Sequence, residues 1–86
     1  MGIAVVILGF AVGLSQAEWL AIALSITVVA VAEIINTAVE STVDLVTSEW
    51  HPLACKAKDT AAGAVLVAAA GSVAVGLIVF VPHLLP

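Results

Sequence analysis

The sequence predicts an all-α integral membrane protein, with one domain over residues 1–86 and three transmembrane helices. The first reason is composition: the chain is 64% hydrophobic, with two basic and six acidic side chains. Its mean hydropathy is +1.33, and a soluble domain of this size cannot bury so much apolar surface. The second reason is the arrangement of residues along the chain, because the apolar residues form three segments separated by short polar stretches.

The first two helices are predicted at about residues 3–15 and 19–46. The first is short for a span of about 20 residues. A polar break from Ser15 to Glu18 separates them, and Trp19 then marks a membrane–water boundary. We interpret Glu18 as a solvated loop acid.

The third helix is predicted at about residues 53–81. Pro52 suits its first turn, with Ser48 or His51 as the N-cap, and Pro82 is expected to end it. The two lysines of the chain, Lys56 and Lys58, lie at the start of this helix. The positive-inside tendency therefore places the connection between the second and third helices on the cytoplasmic side.

Four polar side chains form a stripe on the second predicted helix. Glu33, Asn36, Glu40 and Asp44 follow one another at intervals of three, four and four residues, so they share one helix face. We name this set the acidic ladder. A charge near the bilayer centre costs about 2.5–3.5 kcal/mol on insertion scales, and the helix offers no cation. A positively charged partner is therefore expected to meet this face.

Helical rise gives each ladder residue a depth. With Trp19 at one boundary, Glu33 lies roughly 21 Å along the helix, Glu40 roughly 31 Å and Asp44 roughly 37 Å. The hydrocarbon core is about 30 Å thick. The ladder thus begins in lipid and ends among cytoplasmic headgroups, where a water-soluble ligand can meet a lipid.

Magnesium bound with phosphates suits this ladder. Mg²⁺ accepts one or two protein carboxylates and keeps its other positions for phosphate and water. Lys58, at the level of Glu40 and Asp44, can bind a polyphosphate as a point charge. Glu33, the deepest acid, is the candidate general base for a lipid hydroxyl. The residues therefore suggest phosphoryl transfer from a nucleotide to a membrane lipid.

Structural roles compete with these assignments. Glu33 and Asn36 could connect helices as polar contacts within the membrane, and Asp44 could be a solvated headgroup-level acid. His51 is better explained as a cap or an interfacial residue than as a ligand. Cys55 is interpreted as a packing residue. The chain has no basic stretch that would indicate nucleic acid.

Two blocks of sequence resemble one known family. The pattern Glu-xx-Asn-xxx-Glu-xxx-Asp from Glu33 to Asp44, followed by Ala57-Lys58-Asp59, is similar to the signature of prokaryotic diacylglycerol kinases and their undecaprenol kinase relatives. The resemblance implies a homotrimer with active sites shared between neighbouring chains in a prokaryotic inner or plasma membrane. It also implies transfer of the γ-phosphate of ATP to the primary hydroxyl of undecaprenol or diacylglycerol.

The resemblance also implies residue roles. Glu33 becomes the candidate catalytic base and Glu40 the principal Mg²⁺ ligand, while Lys58 contacts phosphate. The remaining residues are expected to assist the site or lie near the nucleotide: Asn36, Asp44, Glu49, His51 and Asp59. The run His-Pro-Leu-Ala at residues 51–54 is more similar to the undecaprenol kinase branch.

One departure from the family leaves alternatives open. Family members usually begin with an amphipathic surface helix and a further carboxylate, whereas this sequence begins within the first apolar segment. The sequence is then a trimmed version or a natural short form, and a catalytically impaired scaffold of the same fold is the main alternative function. An ion-translocating rotor-ring subunit is less favoured, because such a ring needs one carboxylate per hairpin and this helix carries three.

Overall fold

The computed structural model describes residues 2–85, which form three α-helices. These are α1 (Gly2–Val12), α2 (Gln16–Val46) and α3 (Pro52–Leu84). Helices α2 and α3 lie antiparallel along a body of 55 × 18 × 17 Å, and α1 contacts α3. Both α2 and α3 are long and apolar enough to cross a membrane. Helix α1 has 11 residues and rises about 16 Å, so a third span stays a prediction.

Helix α2 begins three residues earlier than the sequence predicted, because Ser15 caps it. The Ser15 hydroxyl accepts a hydrogen bond from the Glu18 backbone N–H at 3.2 Å, and Glu18 Oε1 accepts one from the Ser15 N–H at 3.0 Å. This reciprocal pair is a capping box. The interpretation of Glu18 as a loop acid was therefore wrong, since this residue lies in the first turn of α2.

The connection between α1 and α2 is a tight corner. Helix α1 ends at Val12 rather than at about residue 15, because Gly13 adopts a φ of +73° that other residues rarely take. Gly9 is buried at this corner against Trp19. The rings of Phe10 and Trp19 meet with centroids 4.9 Å apart. The corner thus packs the first turns of α2, through Trp19, against the end of α1.

Both ends of α3 are defined by particular side chains. At its start, His51 Nδ1 accepts a hydrogen bond from the Leu53 N–H at 3.1 Å, and Pro52 takes the first helical position, as predicted. At its end, the expectation that Pro82 stops the helix was wrong, because the helix continues to Leu84. A proline removes one hydrogen bond to the preceding turn, yet the Leu85 N–H still bonds the Val81 carbonyl at 3.1 Å.

The packed core of the described residues is small and lies at one end of the α2/α3 pair. Ile22, Val79 and Phe80 are its buried side chains. Most other large apolar side chains on the three helices face outward, among them Leu66 and Ile78. Apolar surface of this extent is typical of helices that contact lipid or other subunits.

Candidate functional site

The acidic ladder occupies the second half of α2, as predicted. Asn36 Nδ2 donates a hydrogen bond to Glu40 Oε1 at 3.0 Å, one helical turn away. This contact orients the Glu40 carboxylate along the helix face that Asn36 shares. Glu40 is exposed, so its second oxygen is accessible to a ligand.

The Asn36 carbonyl is a buried acceptor without a hydrogen-bond partner among residues 2–85. Its orientation follows from the contact with Glu40, because a carboxylate oxygen requires the amide N–H₂ and not the carbonyl opposite it. A buried acceptor left without a donor is costly. A proton donor or a cation from outside the described residues would therefore be stabilised beside Asn36.

Lys58 supplies the positive partner that the ladder was expected to need. Its Nζ lies 2.5 Å from Asp44 Oδ1, which joins the start of α3 to the end of the ladder. The two side chains are 39% and 64% exposed. An ammonium has three N–H donors, so the contact with Asp44 leaves two for another anion.

Glu33 lies apart from this ion pair and borders a different environment. Its side chain is exposed and makes no hydrogen bond or ion pair within the described part of the chain. It also lines a cavity of about 500 Å³ whose walls are mostly apolar, apart from Ser25 and Ser72. The apolar lining comes from all three helices, for example from Val5, Ile26 and Phe80. Glu33 thus stands where an apolar cavity meets the polar ladder.

The α2–α3 connection is ordered by short-range hydrogen bonds. Thr47 Oγ1 accepts from the Glu49 N–H at 3.2 Å, and His51 Nδ1 is occupied by its cap. A neutral His51 therefore carries its proton on Nε2, which is the ring atom left to donate outward. Glu49 and Asp59 are exposed, and their placement near a nucleotide stays a prediction.

The ligands available to a metal ion are few. Within residues 2–85, no three side chains of His, Cys, Asp or Glu converge closely enough to hold one. Glu40 and the Asn36 carbonyl are oxygen donors on one face, and Asp44 is shared with Lys58. This set fits Mg²⁺ that takes its remaining ligands from phosphate and water, and it does not fit a metal held by protein alone.

One protein family matches the part of the chain that contains this candidate site. The model that describes prokaryotic diacylglycerol kinase matches residues 1–80, which include the whole ladder and Lys58. The chain belongs to the prokaryotic diacylglycerol kinase family. The resemblance inferred from the two sequence blocks is therefore confirmed.

Individual relatives in this family carry two different names. The undecaprenol kinase of Bacillus subtilis is 53% identical over 81 residues, which are 94% of this chain and 66% of that protein. The diacylglycerol kinase of Synechocystis is 42% identical over 85 residues, or 98% of this chain and 49% of that protein. The diacylglycerol kinase of Escherichia coli K12 is 46% identical over 44 residues, or 51% of this chain and 36% of that protein.

The chain thus spans between about a third and two thirds of the length of these curated relatives. No solved structure matches it.

One polar contact at the other end of the molecule was missed from the sequence. Glu18 Oε2 lies 2.7 Å from His83 Nε2, although 65 residues separate them. The Ser-xx-Glu pattern before an apolar run could have identified the capping box at Glu18. No local pattern could have revealed the contact with His83, because it depends on how α2 and α3 align.

Proposed function

We propose that this chain acts in an ATP-dependent membrane lipid kinase, which transfers the γ-phosphate of ATP to the primary hydroxyl of a lipid alcohol. The observation that carries the proposal is the position of Glu33 between two environments. An apolar cavity of about 500 Å³ borders it on one side, and the ladder with Lys58 continues from it towards the other. Family membership supports the same reaction.

Glu33 is proposed as the general base. It accepts the proton of the lipid hydroxyl while that oxygen forms a bond to the γ-phosphorus. The bond from the γ-phosphorus to the β–γ bridging oxygen then breaks, and ADP leaves with the electron pair. A carboxylate without a competing partner suits this role, and none of the described residues bonds the Glu33 side chain.

Glu40, Asn36 and Lys58 are proposed to hold the nucleotide phosphates. Glu40 is the Mg²⁺ ligand, and Asn36 fixes its carboxylate and offers a carbonyl oxygen beside it. Bound Mg²⁺ would neutralise charge on the phosphate oxygens. Lys58 donates to phosphate with the N–H groups that Asp44 does not use.

Residues of the α2–α3 connection are proposed to lie beside the rest of the nucleotide. Glu49, His51 and Asp59 flank this connection at the same end of the molecule as Asp44 and Lys58. His51 contributes mainly by capping α3, so its contact with the nucleotide is limited to Nε2. The lysines of this region support its assignment to the cytoplasmic side.

Undecaprenol is the proposed substrate in preference to diacylglycerol. The identity to the B. subtilis undecaprenol kinase is 53%, compared with 42% for the Synechocystis diacylglycerol kinase. Both lipids present an apolar tail and one primary hydroxyl, so the apolar cavity beside Glu33 does not distinguish between them. The exposed apolar faces of α2 and α3 support the further proposal that the chain works as a homotrimer.

A transfer assay tests the proposal directly. The full chain, reconstituted in lipid bilayers with ATP labelled at the γ-phosphate and with Mg²⁺, is offered undecaprenol, diacylglycerol or a saturated hydrocarbon of similar length. We expect label in the undecaprenol product first, then in the diacylglycerol product, and none in the hydrocarbon control. Cross-linking in the same bilayers should give trimers. Intact trimers without any labelled lipid would favour the impaired scaffold instead.

A further inference from the structure

The end of the α2/α3 pair away from the acidic ladder carries one isolated titratable contact. Glu18 in the first turn of α2 and His83 in the last turn of α3 meet at 2.7 Å between Oε2 and Nε2. The two side chains are 28% and 27% exposed, so protein covers most of each. Neither residue belongs to the phosphotransfer site proposed above.

The Glu18 carboxylate makes two different contacts with its two oxygens. Oε1 accepts from the Ser15 backbone N–H at 3.0 Å and completes the cap of α2, while Oε2 faces His83. The hydrogen bond with Ser15 therefore fixes the orientation of the carboxylate independently of its contact with the imidazole. The contact ties the cap of α2 directly to the last turn of α3.

The surroundings leave no other titratable side chain to compete within residues 2–85. Helix α1, which contacts α3, contains none. Glu18 is the acid nearest this end of α2, and His83 is the base at this end of α3; the next titratable groups along these helices are Glu33 and Asp59. Among the described side chains, Glu18 and His83 are therefore the two that can change the charge of this contact.

The contact also adjoins the packed core. Ile22 follows Glu18 by about one helical turn, and Phe80 precedes His83 by about one turn. Both are buried, and both line the cavity that reaches Glu33 about 16 Å further along α2. The Glu18–His83 contact thus lies next to the end of that cavity.

We propose that Glu18 and His83 form a pH-dependent latch that closes this end of the cavity. A histidine imidazole exists in a charged and a neutral form within the physiological pH range, whereas a carboxylate stays charged there. With the imidazole charged, the pair is an imidazolium–carboxylate ion pair, and the latch is closed. With the imidazole neutral at higher pH, a weaker hydrogen bond remains, so the last turn of α3 separates more often from α2 and Phe80 from Ile22.

Amide hydrogen exchange tests the latch on the full chain in bilayer nanodiscs. The reporter is the Leu85 N–H, which bonds the Val81 carbonyl just beyond His83. After correction for the intrinsic pH dependence of exchange, we expect about two- to five-fold greater protection at pH 5.5 than at pH 8. Glu18→Gln should lower the protection at pH 5.5 to its value at pH 8.

His83→Lys is the matched control, because lysine keeps its charge at both pH values. This variant should protect Leu85 equally at pH 5.5 and pH 8. His83→Gln, which cannot titrate, should also show no pH dependence and lower protection. The proposal is overturned if wild type shows no pH dependence at Leu85, or if Glu18→Gln or His83→Gln retains the full dependence. Amides near Ile26 should not change in any variant.

Discussion

Each end of the α2/α3 pair is joined by one contact between an acid and a base, and the two contacts differ in kind. At the ladder end, Asp44 and Lys58 are 64% and 39% exposed, and lysine is charged throughout the physiological range. At the opposite end, Glu18 and His83 are 28% and 27% exposed, and the base is a histidine. The first contact is more accessible to ligands, and the second is largely covered.

The ends also differ in how much charge remains unpaired. The ladder end carries four further acids that make no ion pair in the described residues, Glu33, Glu40, Glu49 and Asp59. At the opposite end, Glu18 is paired and capped. Excess acid next to lipid is unfavourable unless a ligand compensates it. The unpaired acids therefore support the proposal that the ligand site lies at the ladder end, while the paired Glu18 has a structural contact with α3.

The strongest test of this contrast replaces one acid at each end. Glu33→Gln should reduce phosphate transfer to lipid about 10²- to 10⁴-fold, because it removes the proposed base. The same change at the other end, Glu18→Gln, should reduce transfer by less than about five-fold. The measurement is labelled phosphate recovered in lipid. Equal losses in the two variants would contradict the division between the ends.

A second test addresses metal binding at the ladder. Glu40→Gln should lower the rate about 10²- to 10³-fold at fixed Mg²⁺, because it removes the charge that holds the ion. Raising the Mg²⁺ concentration should recover part of the rate. Asn36→Ala should show a smaller loss in the same direction, since Asn36 orients the Glu40 carboxylate. A rate that does not respond to Mg²⁺ in either variant would remove Glu40 as a metal ligand.

Packing at the α1–α2 corner should affect stability and not chemistry. A Cβ at Gly9 would lie 2.6 Å from Trp19 Cη2, so Gly9→Ala should destabilise the protein by about 1–3 kcal/mol. Gly63→Ala is the control, because open space surrounds Gly63 and alanine favours helix by about 0.5–1 kcal/mol. Reversible unfolding in mixed micelles measures both. Trp19→Leu should restore stability to Gly9→Ala if the ring is the obstacle.

The smallest effect is expected at the cap of α2. Ser15→Ala should cost about 1 kcal/mol, and Ser15→Gly only a few tenths, because glycine is tolerated at N-cap positions. The same unfolding experiment compares them. If alanine and glycine were equally destabilising, the Ser15 hydroxyl would not be the group that holds the helix start.

Local patterns predicted much of this molecule. Residue spacing predicted the common face of Glu33, Asn36, Glu40 and Asp44, and the order of polar and apolar segments predicted three helices. The sequence left the N-cap of α3 open between Ser48 and His51, and the structure shows that it is His51. The low helix propensity of proline wrongly predicted that α3 ends before Pro82. A proline in the last turn of a helix loses only one hydrogen bond, and the packing of α3 on α2 outweighs that loss.

The side-chain contacts between α2 and α3 could not be predicted from the sequence. The sequence placed Lys58 at the same depth as Asp44, but the pairing itself depends on the alignment of α2 with α3. The contact between Glu18 and His83 depends on the same alignment over 65 residues. The unsatisfied Asn36 carbonyl is likewise a product of packing, since its burial cannot be obtained from spacing along one helix.

The distance between the two acid–base contacts can be compared with the thickness of a membrane. From Glu18 to Asp44 helix α2 rises about 39 Å, and from Lys58 to His83 helix α3 rises about 38 Å. A hydrocarbon layer of about 30 Å fits between them with roughly 4 Å to spare at either side. A thinner bilayer must therefore thicken locally around these helices, or the helices must tilt, to keep the apolar residues between the two polar pairs out of water. The tilt of α2 and α3 is therefore expected to depend on the thickness of the bilayer.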